Sequence, residues 1–159
     1  MPFTNQKHFP VGEQPVHITY RLSGSVPVNM ERRLMKKRDL ELSMLEQKLE
    51  RLPAPQQKER RLSQGYLINA RFEVELDKLL HNHSNGPYFL GNQRIAWVVI
   101  NSWLSFQENM ELIIHAICVM SNHVHVILEK PTQQSGLIDI GVLMKRHKGY
   151  TARLANQLL

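Results

Sequence analysis

A chain of 159 residues can form one domain with a moderate core, and 42% apolar against 21% charged residues is the balance of a soluble globule. The single Cys118 excludes an internal disulfide framework, and no apolar run approaches the roughly 20 residues that span a bilayer. A formal net charge of +6 points to a polyanionic partner, because cations docked on phosphates release condensed counterions.

Without a basic-then-apolar leader at its start, the chain is expected to be cytoplasmic and nucleoid-associated, with no membrane partner. Val16 to Leu22 is β-branched and aromatic and reads as a strand, ended by Ser23-Gly24-Ser25 and Pro27. From Asn29 to Leu52, Leu34, Leu42, Leu45, Leu49 and Leu52 recur near helical spacing among charges. Asn29 is the expected cap of that helix, and Pro53 and Pro55 its stop. Gln56 to Gln64 reads as a charged linker, so residues 29–64 are expected to be a helical arm inserted in a single domain. The run Arg32, Arg33, Lys36, Lys37 and Arg38 fits either a solvated face or a grip on a duplex stem.

Phe72, Leu76, Leu79 and Leu80 predict a short helix, and His81 to Pro87 a loop. Gln93 to Phe106, with Ile95, Val98, Val99 and Trp103, predicts a helix packed on a sheet. Leu112 to Met120 is a buried-strand run, Ser121-Asn122 a short turn and His123 to Leu128 a second strand, so the two should pair antiparallel. A loop over Lys130 to Gly136 leads into one long helix from Leu137 to Leu159. The fold class is α+β, a mainly antiparallel sheet sandwiched by helices, with the charged helical insertion.

The chemistry concentrates at His123 and His125. Strand side chains alternate, so both imidazoles leave one face while Val124 and Val126 leave the other. Two imidazoles so placed can bind one divalent ion and leave positions open for water and phosphate oxygens. The plainer alternative is two half-exposed histidines on a sheet. His81 and His83 form a second His-x-His, but in a loop, where a solvated turn is the better reading. His115 reads as a buried, hydrogen-bonded histidine, with approach to the metal face as the alternative, and His147 as either a phosphate contact or a helix-surface residue. Lys145, Arg146, Lys148 and Arg153 form a basic helical segment, either a solvated face or a set of DNA phosphate contacts. Tyr20 and Tyr66 read as core residues, and Tyr88 as part of a packing segment.

Met120-Ser121-Asn122-His123-Val124-His125-Val126-Ile127-Leu128 resembles the His-hydrophobic-His signature of HUH endonucleases, and more closely the corresponding strand of REP-associated tyrosine transposases. These are relatives of the smallest insertion-sequence transposases. His17 to Ser25 is similar to their V-T-[FY]-R-L-x-G-S strand, and Lys148 to Asn156 to their K-G-x-T-A-R-x-x-N helix. Apart from the arm, the resemblance covers most of the chain in the right order.

The resemblance implies a ferredoxin-like HUH nuclease fold in which His123 and His125 hold Mg²⁺ or Mn²⁺. It also implies single-stranded or hairpin DNA as substrate, cleaved and rejoined through a 5′-phosphotyrosine, and a homodimer in some relatives. In that family the nucleophilic tyrosine lies on a further helix, which places it beyond Leu159. The expectation is therefore a chain without its nucleophile, in which Tyr150 is the in-chain catalytic candidate against a core or DNA-stacking role. The alternative function is a DNA-binding remnant or regulator that recognises hairpins without cutting them. A metal-dependent hydrolase acting elsewhere is a third reading, for which Glu129 is the nearby carboxylate in sequence.

Overall fold

The computed structural model describes residues 11, 14–82, 86–131 and 138–159. The chain divides into two compact units, one of Met1–Leu22 with Tyr88–Leu159 and one of Ser23–Pro87. The inserted region is thus longer than the 29–64 arm expected from composition.

The first unit is built on three strands, β1 (Val16–Arg21), β2 (Ile113–Val119) and β3 (His123–Glu129), in the order β1-β3-β2. β3 is central and antiparallel to both neighbours, with Thr19 opposite His125 on one side and Cys118 opposite it on the other. The hairpin expected at Ser121-Asn122 is present. Its turn is pinned by Leu22 N–H donating to the Asn122 carbonyl at 2.9 Å and Leu90 N–H to that of Ser121 at 3.1 Å. β2 differs from the buried run its composition predicts. It is an edge strand with a register shift between Ile114 and Ala116, and Ile113 is 41% exposed. Edge position leaves one side of an apolar strand without a neighbour, which composition cannot reveal.

Two helices of this unit, α3 (Gln93–Met110) and α4 (Ile140–Asn156), pack on the same sheet face. Asn92 caps α3 by accepting from Arg94 N–H at 2.9 Å, and Asp139 caps α4 by accepting from Val142 N–H at 3.1 Å. Ile95, Val99 and Trp103 of α3 and Ile140 and Leu143 of α4 close over Ile18, Val124, Val126 and Leu128. Alternation along β3 sends the valines into this core and the histidines to the other face. Within this unit the helices therefore cover one face rather than sandwich the sheet.

The second unit is an antiparallel helical pair, α1 (Val28–Leu49) and α2 (Ala54–Asn82). The region expected to be a linker at Gln56–Gln64 and the short helix expected at Phe72–Leu80 are both parts of α2. No breaker separates them, and the Gln, Lys, Glu and Arg residues of the charged stretch are good helix formers. Pro53 and Pro55 bracket the start of α2, where a proline's missing N–H costs nothing. Pro27, not Asn29, occupies the cap of α1, and its carbonyl accepts from Met30 and Glu31. One cluster joins Leu45, Leu49 and Ile68, and a second joins Val26, Leu76 and Leu80. Ion pairs Lys37–Glu75, Glu41–Arg71 and Glu46–Arg61 line the seam, and the Arg38 guanidinium lies 4.7 Å from the Phe72 ring. Two cations of the basic run at Arg32–Arg38 are thus committed to the pair itself. Among the described residues no helix is long and apolar enough to cross a membrane.

Candidate metal centre and basic helix

β3 brings His123 and His125 together on one face, their ring centroids 4.9 Å apart and their planes at 83°. A nitrogen of each lies within 4.8 Å of the other, close enough for one ion to bind both, so a histidine-based group that can hold a metal is present. The ion's identity is not fixed by this geometry.

Hydrogen bonds on the far side of each ring set which nitrogen is presented. The His123 Nδ1 lies 2.6 Å from Asn122 Oδ1, an acceptor only, so Nδ1 carries the proton and Nε2 keeps its lone pair. His123 is 1% exposed and Asn122 is also buried, which protects that bond from competing water. The His125 Nδ1 lies 3.1 Å from both His17 Nε2 and Thr19 Oγ1. In the tautomer with the proton on Nδ1 either of them accepts, and Nε2 is then the ligand atom. His17 also stacks on His125, with centroids 5.2 Å apart and planes at 17°. Orientation of a ligating imidazole by a partner on its other nitrogen is the usual support of a metal site. The donor set therefore fits a divalent ion bound by two imidazole Nε2 atoms.

His17 and Thr19 are residues that sequence reasoning did not assign to the site. Their signal was present: both alternate with core residues on a strand, and Thr19 is the cross-strand partner of His125. Only the pairing register of β1 against β3 reveals it. Arg21 lies opposite His123 in the same register. His115 does not join the pair. Exposed rather than buried, it sits at the β2 bulge with Nε2 3.2 Å from Glu129 Oε2, so that carboxylate is engaged at the opposite end of β3. His81 closes α2 with Nδ1 2.9 Å from the Asp77 carbonyl, and His83 lies outside the described residues.

His147 has a different role from both alternatives read in the sequence. It is fully buried, between α4, α3 and β1. Trp103 Nε1–H donates to the Tyr20 hydroxyl at 3.0 Å, so the Tyr20 hydrogen is left to donate to His147 Nε2 at 2.6 Å. His147 Nδ1–H then donates to Ser102 Oγ at 2.9 Å. Trp103 stacks on the same imidazole, centroids 4.4 Å apart. Burial, with the Lys148 charge nearby, lowers the His147 pKa from the ordinary 6.5 to about 4. Burial also raises the Tyr20 pKa well above the ordinary phenol, though the Trp103 hydrogen bond opposes this.

The basic segment of α4 splits. Ile140, Leu143, His147 and Thr151 form the buried stripe. Lys145, Arg146 and Arg153 lie with Tyr150 along one open groove of the outward stripe. Lys148 is separate: its ammonium sits 5.6 Å from the centre of the Tyr20 ring. Burial and the Arg21 charge lower its pKa. Because α4 packs on the valine face of β3, the outward stripe lies on the opposite side of the sheet from His123 and His125.

Compared with protein-family models, with curated proteins and with solved structures, the chain finds no match.

Proposed function

We propose that the chain is a single-stranded-DNA-processing domain of the HUH single-tyrosine type, which binds hairpin DNA and acts with Mg²⁺ or Mn²⁺ held by His123 and His125. The observation that carries this reading is the pair itself: two imidazoles on one face of the central strand, each with Nδ1 engaged and Nε2 presented. The topology supports it as well. With residues 23–87 set aside as an insertion, α3 stands between β1 and β2, β3 lies between those strands in the sheet antiparallel to both, and α4 follows β3, in line with a ferredoxin-like β-α-β-β-α run.

In this reading His123 and His125 bind the ion, Asn122, Thr19 and His17 hold their tautomers, and Arg21 brings a positive charge to the phosphate. When bound, a divalent ion polarises the scissile phosphodiester and stabilises charge in its transition state. The reaction itself is attack of a tyrosine oxygen on phosphorus with release of the 3′-hydroxyl, which leaves a 5′-phosphotyrosine.

A second reading, DNA recognition without cleavage, draws support from Tyr20 and Tyr150. Tyr20 is built into the core with its hydroxyl accepting from Trp103 and donating to His147, and Tyr150 belongs to the outward stripe across the sheet from the pair. Incubation of an end-labelled DNA hairpin with Mn²⁺ separates the two. A cut strand with a covalent protein–DNA adduct supports the first reading, and retention of the intact hairpin supports the second. Failure to bind the hairpin at all removes both.

A further inference from the structure

The outward stripe of α4 has a composition that fold stability does not require. Val142, Lys145, Arg146, Gly149, Tyr150 and Arg153 follow helical spacing and line one open groove. No acidic residue occurs between Ile140 and Asn156, so the helix supplies no carboxylate to neutralise these three cations. Tyr150 is 46% exposed, and the Arg153 guanidinium lies 6.0 Å from its ring centre, which steadies an aromatic face turned toward water. Gly149 lies beside it. A Cβ built there would meet nothing within 4 Å, so packing does not explain a residue that costs a helix interior about 1 kcal/mol relative to alanine. What the glycine does provide is bare backbone beside the exposed ring.

We propose that this stripe is a binding track for single-stranded DNA, with Tyr150 as a base-stacking platform, Gly149 as the gap that admits the base, and Lys145, Arg146 and Arg153 as phosphate contacts. Charge complementarity selects a polyanion, and the exposed ring selects one with unpaired bases. A duplex keeps its bases stacked on one another and offers such a surface only phosphates. An acidic peptide offers charge without a planar partner for Tyr150. Lys148 has no part in the track, because its ammonium is turned onto the Tyr20 ring. The track rests on the reading of DNA as the partner but not on the metal centre, which lies across the sheet.

The test is fluorescence anisotropy of the full chain in EDTA with three labelled probes: a short oligothymidine, an abasic strand of the same length, and a duplex. Base stacking on an aromatic side chain contributes about 1–3 kcal/mol per base, so Tyr150→Ala should weaken oligothymidine binding roughly 5- to 150-fold. The same change should leave abasic-strand binding and the salt slope unaltered, and Tyr150→Trp should restore affinity. Neutralising Lys145, Arg146 or Arg153 singly to Gln should lower the salt slope by about 0.7 each. Equal affinity of Tyr150→Ala and the parent chain for oligothymidine would overturn the stacking platform while leaving the DNA reading intact. Equal binding of abasic and thymidine strands by the parent chain would do the same. No binding to any of the three probes would overturn the DNA reading along with the track, whereas metal binding at His123 and His125 is read separately by thermal stabilisation.

Discussion

The first unit treats its histidines in two opposite ways, one on each side of the sheet. On the valine side, His147 is sealed in a chain from Trp103 through Tyr20 to Ser102, with both ring nitrogens engaged and the ring held neutral. On the other side, Nδ1 of His123 meets Asn122 and Nδ1 of His125 meets His17 and Thr19, and the two rings lie close enough to share one ion. The residue type is the same, so the partners decide the chemistry. A lone histidine that fills both its positions serves packing, whereas two close imidazoles oriented by partners on one nitrogen can bind a metal.

The largest effect expected from breaking this contrast is on the sealed side. Trp103 is fully buried, stacks on His147 and donates to Tyr20. Trp103→Ala should cost roughly 3–5 kcal/mol in urea unfolding, since it leaves both a cavity and unpaired polar groups.

Next comes the pH dependence of the same network. The His147 pKa is lower in the fold, about 4, than its ordinary 6.5, so between these values the unfolded chain binds more protons than the folded one. This contribution is complete above pH 6.5 and is lost as pH falls toward 4, by on the order of 3 kcal/mol. Urea titrations across that window should show the decline in the parent chain and a flatter profile in His147→Gln. Equal slopes in both would assign the acid sensitivity to other groups.

The histidine pair is probed by metal. With Mn²⁺ at a hundredfold excess over its Kd, linkage predicts about 2.7 kcal/mol of stabilisation. For a chain of this length that corresponds to a melting-temperature rise of roughly 5–10 °C. The double change His123→Ala and His125→Ala should abolish the rise, whereas His147→Gln should keep it. A full rise in the double variant would remove the metal assignment.

A smaller effect sharpens the supporting role of β1. His17→Ala and Thr19→Val each remove one acceptor for His125 Nδ1 but no ligand. Each should weaken Mn²⁺ about tenfold, the lower end of the usual cost of losing a partner behind a ligating imidazole. Isothermal titration gives the affinity directly. Unchanged affinity in both would mean that His125 needs no help to present Nε2.

Much of the first unit was legible in sequence because its signals are local. Alternation around His123-Val124-His125-Val126 separated the faces of β3, and the short Ser121-Asn122 connection required antiparallel pairing. The periodicity of α3 likewise marked Ile95, Val99 and Trp103 as core residues, although Val98 is only half-buried and Ser102 completes the buried face. The helical pair was read less well, because a charged stretch without a breaker looks the same in a linker and in a long helix. Ion pairs across the seam, such as Arg61 with Glu46 at 2.7 Å, exist only once α1 lies beside it.

The sequence by itself determined the element types of the first unit, the shared face of His123 and His125, and the cationic character of α4, since each follows from spacing along a single element. Only the tertiary structure decided that His17 and Thr19 stand behind His125, that His147 is a core residue, and that α4 covers the face away from the pair. Those outcomes depend on cross-strand register and on which side of the sheet a helix packs. Both are set by contacts between residues as far apart as Tyr20 and His147, which no local pattern encodes.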